Sequence, residues 1–118
     1  MPSNPVLILV DAVGGGLAAM AAAIAKSMGR ANVSAATSHS TVSVPDEVRT
    51  ALAEIGLEPS PVVHLDAKDR EGESILVVDA SWGASLYGGR GQLERLSNAR
   101  IARDRIEHRL EQMLRTLS

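Results

Sequence analysis

The stretch VDAVGGGLAAM, residues 10–20, places one carboxylate, Asp11, at the head of a turn holding three consecutive glycines, Gly14, Gly15 and Gly16. A glycine-rich turn between an apolar strand and a helix offers converging backbone N–H groups, the usual means of cradling phosphate. The turn Asp11, Ala12, Val13, Gly14, Gly15, Gly16, Leu17 contains no Lys, Arg, Ser, Thr or Cys. It is neither a G-x-G-x-x-G fingerprint nor a Walker A loop, because no Lys-Ser/Thr follows. A carboxylate at the mouth of an anion nest repels phosphate unless it is protonated or bridged by a cation. Four uses of the turn follow. Asp11 takes the nest's own donors as an internal carboxylate–amide cap, pairs with Asp79 around a cation, or serves as a base in a pocket; alternatively, the Gly14–Gly16 amides alone sense phosphate. Two carboxylates supply fewer oxygens than a hard cation generally needs, so no metal site is expected.

Other chemistry-bearing side chains are sparse. His39, His64 and His108 lie far apart without metal-type spacing, and only His39 falls in a loop near the crevice expected beyond the strand ends. Trp82 and Tyr87, the sole aromatics, sit with Asp79 in or beside a small, glycine-containing segment. They line a pocket, anchor a partner or pin the loop to the domain. No Ser–His–Asp arrangement is legible, and Ser38 and Ser40 suit turn geometry.

The elements that must position these groups alternate. Pro5–Val10 (PVLILV) is continuously apolar, as in a strand covered on both faces. Leu17–Met28 reads as a helix with Leu17, Met20, Ala21, Ile24 and Met28 on one stripe, stopped by Gly29. Ala31–Ala36 is a second strand and Thr37–Thr41 a polar loop. Pro45 opens a second helix, Asp46 and Glu47 complement its dipole and Gly56 closes it, with Val48, Leu52 and Ile55 facing inward. Val62–Leu65 and Ile75–Val78 are further strands, and a long amphipathic helix runs from Gln92 to Leu117 with Ala102, Ile106, Leu110, Met113 and Leu117 on its stripe. This order predicts one α/β domain over residues 1–118, a three-layer sandwich around a central parallel sheet of three to four strands.

Composition narrows the function classes. The chain has 118 residues, 45% of them apolar, which suits a single core, and Phe is absent. With no cysteine, disulfides, thiolate catalysis, zinc–thiolate sites and iron–sulfur clusters are excluded within this chain, and no cofactor is expected. The net charge of −2 gives no global attraction to nucleic acid or membrane. No signal peptide is visible, and the longest apolar stretch, around Leu17–Ala25, is too short to span a bilayer; a cytoplasmic location is expected. Residues 90–118 carry seven Arg against four acidic residues, read as a solvated helix face with intrahelical pairs in preference to a basic docking face.

Order and spacing together resemble the low-molecular-weight protein tyrosine phosphatases and the related thioredoxin-coupled arsenate reductases. That family opens with an apolar strand, a C-x5-R phosphate loop and a helix beginning Ser-Pro/Gln-Met-Ala. Here LILV precedes Asp11, the spacing from Asp11 to Leu17 equals that from the family's Cys to its Arg, and AAMA (Ala18–Ala21) falls at the Met-Ala motif. VSAAT (Val33–Thr37) is similar to Ser-Ala-Gly-Thr after the second strand, and VPDEVRTALAEIGLEPS (Val44–Ser60) to the next helix. ILVVDAS resembles the later strand ending in Met-Asp, and RIARDRIEHRLEQML the final helix. The resemblance implies a four-stranded parallel sheet flanked by helices, without the activity. Asp11 stands for the nucleophilic Cys, Leu17 for the phosphate-clamping Arg and Ala18 for the following Ser. The Asp-Pro general-acid loop has no counterpart, and the interval between Asp79 and the last helix is shortened. These mutual losses point to a pseudoenzyme working as a binding, regulatory or assembly module, through a protein partner or as a homodimer; the alternative is an enzyme or ligand- or ion-binding protein of different chemistry using Asp11.

Overall fold

The computed structural model describes residues 7–29, 32–64, 74–78 and 90–117. Along the chain run β1 (Leu7–Asp11), α1 (Gly16–Ser27), β2 (Val33–Thr37), α2 (Asp46–Ala53), β3 (Val62–His64), β4 (Ser74–Val77) and α3 (Gln92–Leu117). The strands form one four-stranded sheet in the order β3-β2-β1-β4, and every pairing is parallel. The continuous apolar run of β1 therefore becomes an inner strand, and all five of its residues are buried.

Side chains alternate across a strand, so Leu7 and Leu9 share a face with Val33 and Ala35 of β2. These four join α1, α2 and α3 in a single core cluster that includes Leu17, Met20, Ile24, Val48, Leu52, Ile106 and Leu110. Removing a side chain such as Leu9, Met20 or Ile106 from water contributes roughly 1.5–3 kcal/mol. On the opposite face Ile8, Val10 and Ala36 make a smaller buried cluster. The third layer expected over that face lies outside the described residues.

Several local expectations change. The stripe foreseen on α1 is instead an all-round burial from Gly16 to Ala25; with alanine at most other positions, the helix fits closely between β1, β2 and α3. Thr37, read as loop, ends β2 because it pairs with Asp11. Pro45 is the residue before α2 rather than its first helical one, with φ −60° and ψ 145°. The helix ends at Ala53, so Ile55, expected inside, falls in the turn beyond and is 41% exposed. Gly56 closes that turn at φ +76°.

The arginine-rich end of the chain also departs from expectation. Among the described residues Arg95, Arg100 and Arg103 reach across to the α2 side, and Arg103 also pairs within α3 with Asp104 at 3.0 Å, as expected. Arg95 donates from Nε to Glu47 Oε1 at 2.8 Å, Arg100 from Nε to Glu54 Oε1 at 3.0 Å, and Arg103 from Nη1 to both Glu54 Oε1 (2.8 Å) and the Ala51 carbonyl (2.9 Å). Hydrogen bonds from Arg100 and then Arg103 pull the Glu54 carboxyl from 4.5 down to about 2, and Arg95 lowers Glu47 in the same way. Helix α2, only eight residues long, brings its acidic side to α3 as well as its apolar one.

Candidate functional site

Asp11 ends β1 in register with Thr37 of β2. Both share the face of Leu9 and Ala35, so their side chains are directed to the side on which α1 packs. Asp11 is 1% exposed and Thr37 fully buried. A carboxylate removed from water needs hydrogen bonds to every face it presents. The glycine turn supplies them. The Val13 N–H donates to Asp11 Oδ1 at 3.1 Å, the Gly15 N–H to the same oxygen at 2.8 Å and the Ala18 N–H to Oδ2 at 2.9 Å. Two of these donors belong to the end of α1, where the helix dipole favours negative charge. Gly15 is the residue before α1 and has no side chain to cap it; Asp11, from four residues upstream, performs that task.

Thr37 takes the next donor. Its Oγ1 accepts the Gly14 N–H at 3.2 Å and the His39 N–H at 3.2 Å, while its own O–H donates to the Asp11 carbonyl at 3.2 Å. The Ser38 N–H donates to that same carbonyl at 2.9 Å. The turn is thus stitched to β2 by one threonine and one aspartate, and the N–H groups of Val13, Gly14, Gly15 and Ala18 all point to protein oxygens.

Gly14 and Gly15 adopt φ of +111° and +101°, a left-handed conformation that residues with a Cβ rarely take. A Cβ on Gly15 would also stand 2.5 Å from Val62 Cγ1, and one on Gly14 3.2 Å from the Ser43 carbonyl oxygen. The Ser43 N–H donates to the Gly14 carbonyl at 2.8 Å. Gly14 and Gly15 therefore serve the turn's own shape and its contact with the 41–44 segment and β3. Leu17, in the position the resemblance gives to a phosphate-clamping arginine, is 2% exposed and belongs to the core.

The remaining candidates separate. The His39 ring is exposed and bonds locally, with Nδ1 3.1 Å from both the Thr41 nitrogen and carbonyl oxygen; only its backbone reaches the Asp11 cluster, through Thr37. Asp79, Trp82 and Tyr87 lie outside the described residues, as does most of the shortened interval between Asp79 and the last helix. Thr37 is the central residue that sequence reasoning left out. Its signal lies in the pairing register, which the VSAAT motif alone does not reveal.

With that geometry in hand, the similarities are informative. No protein-family model and no curated protein matches the sequence. Solved structures do. An arginine phosphatase, YwlE, from Geobacillus stearothermophilus is similar at TM-score 0.67 and 16% identity over 96% of this chain and 93% of its own. An arsenate reductase in the phosphate-binding state is similar at TM-score 0.70 and 14% identity, over 98% and 100% of the two chains. A protein tyrosine phosphatase from Entamoeba histolytica is similar at TM-score 0.71 and 11% identity, over 97% and 96%. The fold is that of the low-molecular-weight phosphatases and arsenate reductases. On this phosphatase fold the chain has no cysteine anywhere, so a thiolate nucleophile is unavailable to it. Its glycine turn holds a carboxylate side chain of the protein itself.

Proposed function

We propose that the chain is a catalytically inactive, phosphatase-like domain that works as a binding, regulatory or assembly module in the cytoplasm, through a protein partner or as a homodimer. The observation that carries this reading is the Asp11 carboxylate held by the Val13, Gly15 and Ala18 amides. A phosphoryl group entering the turn would compete with a charge tethered in the same chain, at no cost in translational freedom, and would meet like-charge repulsion. Bidentate guanidinium binding is absent as well, because Leu17 is buried in the core.

A role for Asp11 as base or cation ligand has less support. At 1% exposure, with both oxygens already accepting amide protons, the carboxylate is the interior of a turn more than the wall of a pocket. The test is direct. Purified protein is expected neither to hydrolyse aryl phosphates nor to reduce arsenate, and phosphate at matched ionic strength is expected to leave its melting temperature unchanged. Turnover that disappears on changing Asp11 would overturn the reading.

A further inference from the structure

A concavity apart from the glycine turn is lined in part by Val62, whose side chain closely approaches Gly15. This pocket of about 530 Å³ is bounded by the 42–44 segment, α2 and the chain leading into β3. Its size falls within the range of small-molecule sites. Val42, Val44, Leu57, Pro59, Pro61 and Val62 supply apolar walls, and Arg49, Glu58 and Ser60 are its polar groups.

Two features separate those polar groups from the rest of the surface. First, α2 and α3 pair their opposite charges closely at Glu47–Arg95, Glu54–Arg100 and Glu54–Arg103. Arg49 and Glu58 line one pocket, yet among the described residues neither side chain makes an ion pair or hydrogen bond, with the other or with any other group. Second, Ser60 is only 8% exposed. Its Oγ accepts from Lys26 Nζ at 3.2 Å, and no described acceptor takes its own O–H, which remains free to donate.

We propose that this pocket binds a small zwitterion with an apolar body, of the size and chemistry of a free aliphatic dipeptide. The carboxylate sits against the Arg49 guanidinium and the Ser60 hydroxyl, the ammonium group against Glu58, and the aliphatic side chains against the valine and proline walls. A simple anion leaves Glu58 opposed to it and a simple cation leaves Arg49 opposed; a molecule carrying both charges on an aliphatic frame satisfies both and covers the walls. The site uses none of the Asp11 cluster and goes beyond the proposed loss of phosphatase chemistry. Its walls include Val62 and Val44, the neighbours of the glycine turn, so occupancy there is felt at Gly15.

The probes are L-valyl-L-leucine, its N-acetyl form and its C-terminal amide, titrated into the full chain and followed by backbone amide NMR shifts and calorimetry. Saturable binding of the free dipeptide is expected, with shifts at Val44, Arg49, Ser60, Val62 and Gly15. Each capped form is expected to bind at least about tenfold more weakly, the scale of one lost charge-assisted contact. Arg49→Gln should abolish the preference for the free carboxylate while keeping that for the free amine, and Glu58→Gln the reverse. Both positions are exposed and unpaired, so the variants keep the fold, which the unchanged NMR spectrum checks. Absence of shifts up to about 10 mM, an affinity too weak to be specific, or equal binding of free and capped peptides, would overturn the proposal. Phosphatase or arsenate reductase turnover would leave it standing, so the two readings fail separately.

Discussion

Carboxylates do opposite things in two parts of this molecule. In the glycine turn, Asp11 is buried and neutralised in effect by backbone amides and a helix end. Along the α2–α3 seam, Glu47 and Glu54 are only partly covered: Glu54 and its partner Arg100 are open to water, while Glu47 and Arg103 are more deeply packed. The attraction in the turn acts where solvent does not screen it, and leaving its donors unmet is costly. Exposed ion pairs contribute little, a median near zero to about 1 kcal/mol. The turn is thus the part of the molecule whose stability depends on a single charge, and the seam a place where charges select which helices meet.

The sharpest way to break that contrast is to delete the buried group. Asp11→Ala strands three N–H groups and is expected to cost about 3 kcal/mol or more, at roughly 1–3 kcal/mol per buried unmet donor, read from the urea midpoint. Formate, a free carboxylate the size of the missing one, should restore part of that loss and leave the natural chain unaffected. Asp11→Asn, which turns an NH2 toward an N–H, is expected to lose less, about 1–3 kcal/mol. A neutral or stabilising Asp11→Asn would mean that the carboxylate is not the turn's support.

Gly15→Ala comes next. Its φ of +101° and the 2.5 Å approach of Val62 Cγ1 both oppose a methyl group, with an expected cost of about 1–3 kcal/mol. Adding Val62→Ala removes the two Cγ contacts but leaves Val62 Cβ 3.2 Å from the new methyl group. The double variant should therefore recover part of the loss and stay below the Val62→Ala single variant by at least about 1 kcal/mol, the scale of the left-handed backbone penalty. A double variant as stable as Val62→Ala alone would show that the conformation itself carries no strain. Thr37→Val follows, with an expected loss of about 1–2 kcal/mol from the Gly14 and His39 donors it abandons.

The seam provides the smallest effect, and it appears as pH dependence. Glu54 titrates at about 2 in the folded chain against an ordinary 4.5. The unfolded chain therefore takes up a proton first as the solution is acidified. The contribution of this pair is complete above about 4.5 and disappears as the pH falls toward 2. Melting temperatures measured across that interval should decline less steeply for Glu54→Gln than for the natural chain. A parallel decline would show that the Arg100 and Arg103 contacts add nothing.

How much of this was legible beforehand varies with the range of the interaction responsible. The helix α3 begins at Gln92 and ends at Leu117 as its periodicity predicts, because an apolar stripe at helical spacing is a local signal. The turn's ends, Asp11 and Leu17, were legible from type and spacing, and the internal cap was one of the uses that chemistry allowed. Its completion through Thr37 was not, since the threonine lies 26 residues away and meets Asp11 only through strand register. Ile55 was misplaced for a related reason: its spacing continues the α2 stripe, but the helix stops at Ala53 before that spacing applies.

The sequence by itself determined the alternation of strands and helices, the absence of thiol chemistry, and a carboxylate where an anion nest would otherwise be open. Residue type and short-range periodicity suffice for these, since they rest on side-chain chemistry and on contacts a few residues apart. Only the tertiary structure decided where the carboxylate's charge goes, which helices the arginines join, and that Arg49 and Glu58 share a pocket without pairing. Those outcomes depend on parallel register and on the packing of α2 against α3, which bring together groups that are distant along the chain.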